Sequence, residues 1–178
     1  MKVGLTQRVI FHQDRAYDSL DHAWYKYLAG HEMIVIPNRS PVEITDLDVL
    51  IITGGDNHPV RNQVEHELVD SMLSRDLPVI GICHGCQLLT QRLSGTVTPV
   101  DNHQDCYHEV FYQDEPHLVN SYHKLRIERS PPGATVLARD PDGHAEAWIQ
   151  GQIAGIMWHP ERMAQPWIPR EIQLLLTR

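Results

Sequence analysis

Val79-Ile-Gly-Ile-Cys83-His-Gly-Cys86-Gln-Leu-Leu-Thr-Gln-Arg-Leu-Ser-Gly95 is the stretch from which the rest of the chain can be read. Val79 to Ile82 is a short apolar run of the kind that forms a fully buried strand, and Pro78 enters it where a missing N–H costs least. From Gln87 onward, Leu88, Leu89 and Leu93 recur at helical spacing, and Gly95 is expected to stop the helix. Gly81 and Gly85 flank Cys83 at two residues on either side. A side chain at the tip of a sharp strand-to-helix turn needs small neighbours at those positions, so Cys83 reads as a nucleophile on an elbow. The helix N-terminus behind it favours a thiolate. Two other readings of the same residues stay open at this point. Cys83 and Cys86 form a C-x-x-C that could be a redox pair or, with Cys106, part of a zinc site, and Cys83 could be a plain buried cysteine.

Composition narrows the field. A chain of 178 residues is expected to form one domain over 1–178 with a single sizeable core. Its net charge of −8 argues against nucleic-acid and anionic-membrane partners. No apolar run approaches a membrane span and no leader opens the sequence. With only three cysteines, a reducing cytoplasm is expected. The twelve histidines are scattered. Those at His103 and His108 could be metal ligands, though a polar loop is the expected reading of that segment.

Read in order, Lys2–Thr6 is a first strand, residues 16–28 a helix ending at Gly30, Met33–Pro37 a second strand and Asp48–Thr53 a third. A helix is expected from Asn62, with Glu65 closing a capping box, and then the elbow strand. Alternating strands and helices predict an α/β fold: a mainly parallel, doubly wound sheet with helices on both faces. Ligands gather beyond the carboxyl ends of such strands, which puts Gln7-Arg8, Asn38-Arg39, Gly54–Asn57 and Cys83 on one rim. After Gly95, strands at Val110–Tyr112, Val119–Ile127, Thr135–Arg139, Ala145–Ile149 and Ile153–Trp158 predict an antiparallel or mixed edge section. The closing segment carries a helix over roughly its last nine residues, because Pro166 and Pro169 bar an earlier start.

The nucleophile reading needs a base and oxyanion donors. His159-Pro160-Glu161 follows the last apolar strand, and in an extended segment residues i and i+2 point the same way. His159 could then take the thiol proton and return it to a leaving nitrogen, with Glu161 fixing its tautomer. Backbone N–H groups of His84 and Gly55 are the expected oxyanion donors. Arg8 and Arg39, each following a predicted strand on that rim, would suit a phosphorylated leaving group because guanidinium forks bind phosphate oxygens.

Together, Gly81-x-Cys83-x-Gly85-x-Gln87, Gly54-Gly55 and Trp158-His159-Pro160-Glu161 resemble the class I glutamine amidotransferase family. Val119-Asn-Ser-Tyr-His123, Pro132-Gly133, Asp142-Gly143 and Glu146-Ala147 resemble its free-standing γ-glutamyl hydrolase branch. The opening, Gly4-Leu-Thr-Gln-Arg8 with Leu20-Asp21 and Trp24, resembles hydrolases that act on γ-glutamyl-CDP-amidate in capsular phosphoramidate synthesis. Cys86 departs from the family pattern, which more often has a larger apolar residue there. The resemblance implies a flavodoxin-like sheet, a Cys83/His159/Glu161 triad, and a glutamyl pocket using Gln87 and the Ser121-Tyr122 backbone. It further implies a small γ-glutamyl substrate and no metal or organic cofactor. The alternatives are a glutaminase subunit supplying ammonia to a separate synthase partner, and a C-x-x-C redox or binding protein.

Overall fold

The computed structural model describes residues 1–39 and 46–177. Five strands run parallel: β1 (Lys2–Thr6), β4 (Glu32–Ile36), β5 (Val49–Ile52), β6 (Val79–Ile82) and β13 (Ile153–Ile156). Their spatial order is β4-β1-β5-β6-β13. Numbered among themselves this is 2-1-3-4-5, the flavodoxin-like order whose crevice lies at the carboxyl ends of the strands. The central strands β5, β6 and β13 are buried along their whole length, which is why they read as unbroken apolar runs. Alternate residues feed two cores. Val3, Leu5, Val49 and Ile51 pack with Trp24, Trp158 and Ile172 on one face. Leu50 and Ile52 pack with Val64, Leu68 and Met72 and with Leu88 and Leu89 on the other. Each such side chain taken out of water contributes about 1.5–3 kcal/mol. No helix among the described residues is long and apolar enough to cross a membrane.

The sheet continues past β13 in antiparallel fashion through β12 (Ala145–Gln150), β11 (Thr135–Arg139), β8 (Gln104–Tyr112) and β9 (Glu115–Tyr122). β10 (Leu125–Arg129) pairs with β12 and with β7 (Thr96–Pro99). The expected edge section is therefore present, with corrections. The segment 103–108 is not a polar loop: from Gln104 it belongs to β8. The run Val119–Ile127 divides into β9 and β10 at His123-Lys124, and β7 was unforeseen.

The helix expected over 16–28 is also corrected. Residues 8–19 form a two-stranded ribbon, β2 (Arg8–His12) with β3 (Arg15–Ser19). Its two-residue turn, Gln13-Asp14, has φ of 48° and 58°, the geometry that matches the twist of a hairpin. Only Ala23–Tyr27 is helical (α1), started by Asp21, whose Oδ1 accepts the N–H of Ala23 at 3.0 Å. The second helix, α2, spans Pro59–Ser74 and begins three residues before Asn62. Proline suits a first helical position. There is no capping box: Glu65 faces the core, as described below. The elbow helix α3 spans His84–Arg92 and ends in a Schellman motif whose left-handed residue is Ser94 (φ 67°), one residue before Gly95. The Gly95 and Ser94 N–H groups close on the carbonyls of Thr90 and Gln91. The closing helix is short, α4 at Arg170–Gln173 followed by a 3-10 turn at Leu174–Leu176.

Candidate active site

Cys83 sits between β6 and α3 with φ 52° and ψ −101°, a conformation few non-glycine residues adopt. The strain is held by the surroundings. Its N–H donates to the Ile156 carbonyl at 2.7 Å, and its own carbonyl accepts the Gln87 N–H at 3.0 Å. The flanking glycines are sterically required. A Cβ on Gly81 would lie 2.6 Å from the Cys86 nitrogen, and one on Gly85 would lie 2.8 Å from the Ile52 Cβ. The elbow expected from the sequence is thus the conformation of the backbone.

His159 follows β13 by three residues, and its ring lies between Cys83 and Glu161. Nδ1 is 2.6 Å from Glu161 Oε1; since a carboxylate oxygen accepts, Nδ1 carries the proton and Nε2 is left for the thiol. Burial disfavours the imidazolium, but hydrogen bonds to Cys83 and Glu161 outweigh it and raise His159 to about 9. The local geometry differs from expectation. Residues 160–162 form a 3-10 turn with Pro160 at its first position, so the segment is not extended. The turn brings the two side chains together, with proline preset for it.

Asn120, which the sequence reading did not single out, fixes this turn. Its Nδ2 donates to the His159 carbonyl at 2.9 Å and its Oδ1 accepts the His159 N–H at 2.8 Å. Tyr122 meets the imidazole edge-on at 5.4 Å.

Cys83 opens into a cavity of about 240 Å³ whose lining includes Gly55, His84, Gln87, Tyr122 and Lys124. Both expected oxyanion donors and two of the expected pocket residues therefore surround the thiol. Ser121 does not line this cavity: it is buried, with its hydroxyl donating to the His103 carbonyl at 2.6 Å. Arg8 lines a narrow cleft on the other side of Gly54, with His159 and Glu161. Arg39 is exposed and lines neither space. The two arginines do not converge on Cys83. The cation at the cavity is Lys124, whose only sequence signal was its place just after Tyr122-His123. A larger hollow of about 560 Å³ near Leu118 and Trp167 is separate from Cys83, and its lining includes no cysteine or serine.

Behind the donors lies a buried polar network. Glu65 Oε1 accepts from Arg61 Nε and from the Thr6 hydroxyl, each at 2.8 Å, and Oε2 is 2.8 Å from His84 Nε2. Arg61 donates in turn to the carbonyls of Thr53 at 2.5 Å and Gly54 at 3.3 Å. Burial alone would raise the Glu65 carboxyl, yet its bonds to His84 and Arg61 hold it below the ordinary value. Cys86 lies deeper, beside Thr90 and Trp148. It is fully buried, and burial drives its thiol far up, so it is closed to solvent-borne thiol chemistry.

An activated cysteine at an elbow, a histidine oriented by a carboxylate and paired backbone donors can perform acyl transfer through a thioester. Residues 15–176 match the family Glutamine amidotransferase class-I, and the chain belongs to it. Among its relatives, the γ-glutamyl-CDP-amidate hydrolase of Campylobacter jejuni is 28% identical, over 91% of this chain and 90% of that one. The glutamine-hydrolyzing GMP synthase subunit of Haloarcula marismortui is 30% identical over 74% of each chain. A solved glutamine amidotransferase from Thermotoga maritima shares the fold, with a TM-score of 0.71 at 14% identity over 90% of this chain and 76% of that one. Family and relatives together support an amide hydrolase.

Proposed function

We propose that this chain hydrolyses a γ-glutamyl amide with Cys83 as nucleophile, acting as a single cytoplasmic domain on a small molecule. The observation that carries the reading is the strained Cys83 elbow hydrogen-bonded to a histidine that Glu161 orients. Cys83 gives its thiol proton to His159 Nε2 as its sulfur attacks the γ-carbonyl carbon, and the oxyanion that forms is held by the N–H groups of Gly55 and His84. His159 donates its proton to the leaving nitrogen, the C–N bond breaks, and a glutamyl thioester remains on Cys83. Water then attacks the thioester while His159 takes its proton; the C–S bond breaks, His159 returns the proton to sulfur, and glutamate and the free thiol are released. Gln87 and the backbone around Ser121 and Tyr122 would hold the glutamyl end. No metal or organic cofactor enters these steps, and neither nucleic acid nor membrane is a partner.

For the leaving group we favour a nucleotide phosphoramidate, as in γ-glutamyl-CDP-amidate. The Campylobacter relative named for that substrate aligns over nine-tenths of both chains, and Lys124 at the cavity supplies a cation for phosphate. Arg8 borders a separate cleft and Arg39 is exposed outside both spaces, so this reading rests on Lys124 and not on the arginines. A second reading, a glutaminase subunit supplying ammonia to a synthase, is favoured by the likeness to the Haloarcula GMP synthase subunit. The test is to incubate the purified chain alone with γ-glutamyl-CDP-amidate and, separately, with glutamine, and to weigh the products by mass spectrometry. Release of glutamate and cytidine diphosphoramidate by the chain alone supports the first reading. Glutamine hydrolysis that appears only with a partner protein overturns it for the second.

A further inference from the structure

The reaction leaves one group of titratable side chains unused. His103 precedes β8, His108 lies within it, His123 follows β9, and Glu146 lies in β12. Glu146 is fully buried, and neither of its carboxylate oxygens has a hydrogen-bond partner among the described residues. A carboxyl in that condition is held neutral, is paired, or coordinates a metal; burial pushes Glu146 well above the usual carboxylate range until a cation reaches it. Three imidazoles gather beside it, with ring centroids 4.9, 5.1 and 6.2 Å apart.

Distances distinguish direct pairing from a shared ion. His108 Nε2 is 3.8 Å from Glu146 Oε2, and His123 Nε2 is 3.7 Å from Oε1. Direct hydrogen bonds would bring these atoms to about 2.7–3.2 Å. Two ligand atoms sharing a tetrahedral zinc ion at about 2.0–2.1 Å lie roughly 3.3 Å apart. Ligand atoms of His103, His108 and Glu146 all fall within 4.8 Å of one another. The gap between them suits an ion better than a bond.

Tautomers agree with this. His123 Nδ1 is 3.0 Å from the Leu125 carbonyl, and His103 Nδ1 is 3.1 Å from the Asp101 carbonyl. A carbonyl only accepts, so each Nδ1 carries the proton and each Nε2 has its lone pair free. Metal-bound histidines are oriented by outer partners in this way. The bond from the Ser121 hydroxyl to the His103 carbonyl anchors the loop carrying the first ligand.

We propose that His103, His108 and Glu146 bind a divalent transition-metal ion, with His123 beside the carboxylate's other oxygen as an outer neighbour. Imidazole nitrogens with one carboxylate and no thiolate suit Zn²⁺ or Co²⁺ better than Mg²⁺ or Ca²⁺. The ion would join β8 to β12, with the β9–β10 connection beside them. Because His123 also lines the Cys83 cavity, the ion would brace the wall that carries Tyr122. The inference does not depend on the substrate proposed above.

The experiment is a titration of the chelator-treated chain, carrying Cys83→Ser so that the nucleophile cannot compete. Zn²⁺ is followed by calorimetry and Co²⁺ by its visible absorption. One ion per chain should bind at micromolar protein, with cobalt bands of nitrogen and oxygen ligation and no thiolate charge-transfer band. His108→Ala and Glu146→Gln should weaken binding by more than about 100-fold, beyond the roughly 10–100-fold cost of losing an outer partner. Should Glu146→Gln fail to fold, His103→Ala carries the same test, since His103 is half-exposed. His144→Ala, in the separate Asp140-Asp142-His144 group, should leave binding unchanged. Absence of binding, binding unaffected by His103→Ala and His108→Ala, or loss only in His144→Ala overturns the assignment.

Discussion

Gly54→Ala tests whether the spacing between the β5 loop and His159 sets the chemistry. A Cβ at Gly54 would sit 2.9 Å from His159 Nε2 and closer still to Cε1, where ordinary contact begins at 3.4 Å. The Cε1 contact is the tighter one, and relieving it requires the ring to retreat by roughly an ångström. It has little room to do so, because Asn120 holds its backbone from both sides and Glu161 holds Nδ1. Either Nε2 leaves the thiol, or the loop moves and carries the Gly55 N–H away from the oxyanion. A misplacement near 1 Å costs about 10²-fold in rate, which is about 2.7 kcal/mol of barrier. Steady-state hydrolysis of a chromogenic γ-glutamyl anilide should show that loss in kcat/KM. The alkylation rate of Cys83 should fall as well, because the imidazole is no longer placed to take its proton. The change touches neither core, so the thermal midpoint should move by only a few degrees. A folded Gly54→Ala chain within threefold of the natural rate on both measures would refute the reasoning.

Cys83→Ala should abolish turnover, whereas Cys86→Ser should keep most of it and lose about 1–3 kcal/mol of stability for a hydroxyl placed in the core; denaturant melts and rates on the same samples separate the two effects. Lys124→Ala should raise KM for a phosphorylated γ-glutamyl substrate by an amount equivalent to about 1.5–3 kcal/mol and barely affect a small uncharged γ-glutamyl amide. Equal losses on both substrates would show that Lys124 supports the site and does not read phosphate. The raised pKa of His159 keeps the imidazolium present as pH passes 6.5 and removes it as pH rises through about 9. The alkaline limb of kcat/KM, which reports the free enzyme, should therefore fall near 9, and a limb centred near 6.5 would contradict the Cys83–His159–Glu161 coupling.

The parallel half of the fold was legible because its strands are buried on both faces. Val49–Ile52 and Val79–Ile82 carry an apolar residue or glycine at every position, and each run is buried throughout. The elbow was legible for a steric reason, since Gly81 and Gly85 mark backbone approaches that no side chain could occupy. The first helix was misread because Ala16, Leu20, Ala23 and Trp24 fall at helical spacing, while the Gln13-Asp14 turn that makes residues 8–19 a ribbon contains no glycine to announce it. The His159 turn shows a subtler case: the partners were right and the backbone between them was not, because His159 stands just before a 3-10 turn that bends the chain at Pro160 instead of letting it run extended.

What could not be read depends on contacts between distant residues. Asn62-x-x-Glu65 looks like a capping box, and only the packing of α2 against the elbow shows Glu65 joined to His84, nineteen positions away. In the folded chain this one carboxylate reaches both proposed oxyanion donors: it holds the His84 side chain directly, and through Arg61 it holds the carbonyls of Thr53 and Gly54 just before Gly55. Breaking such a network by removing one partner leaves the others charged and buried, at a cost of about 3–5 kcal/mol. His103 and His108 were visible in the sequence as possible ligands, but their meeting with Glu146 was not. A bulge in β8, where Asp105 takes φ 52° and the register with β9 shifts between Gln104 and Cys106, separates His103 from the regular alternation of the strand. A period of two counted along 103–108 would put His103 and His108 on opposite faces. The bulge changes that parity, and so places both rings beside Glu146.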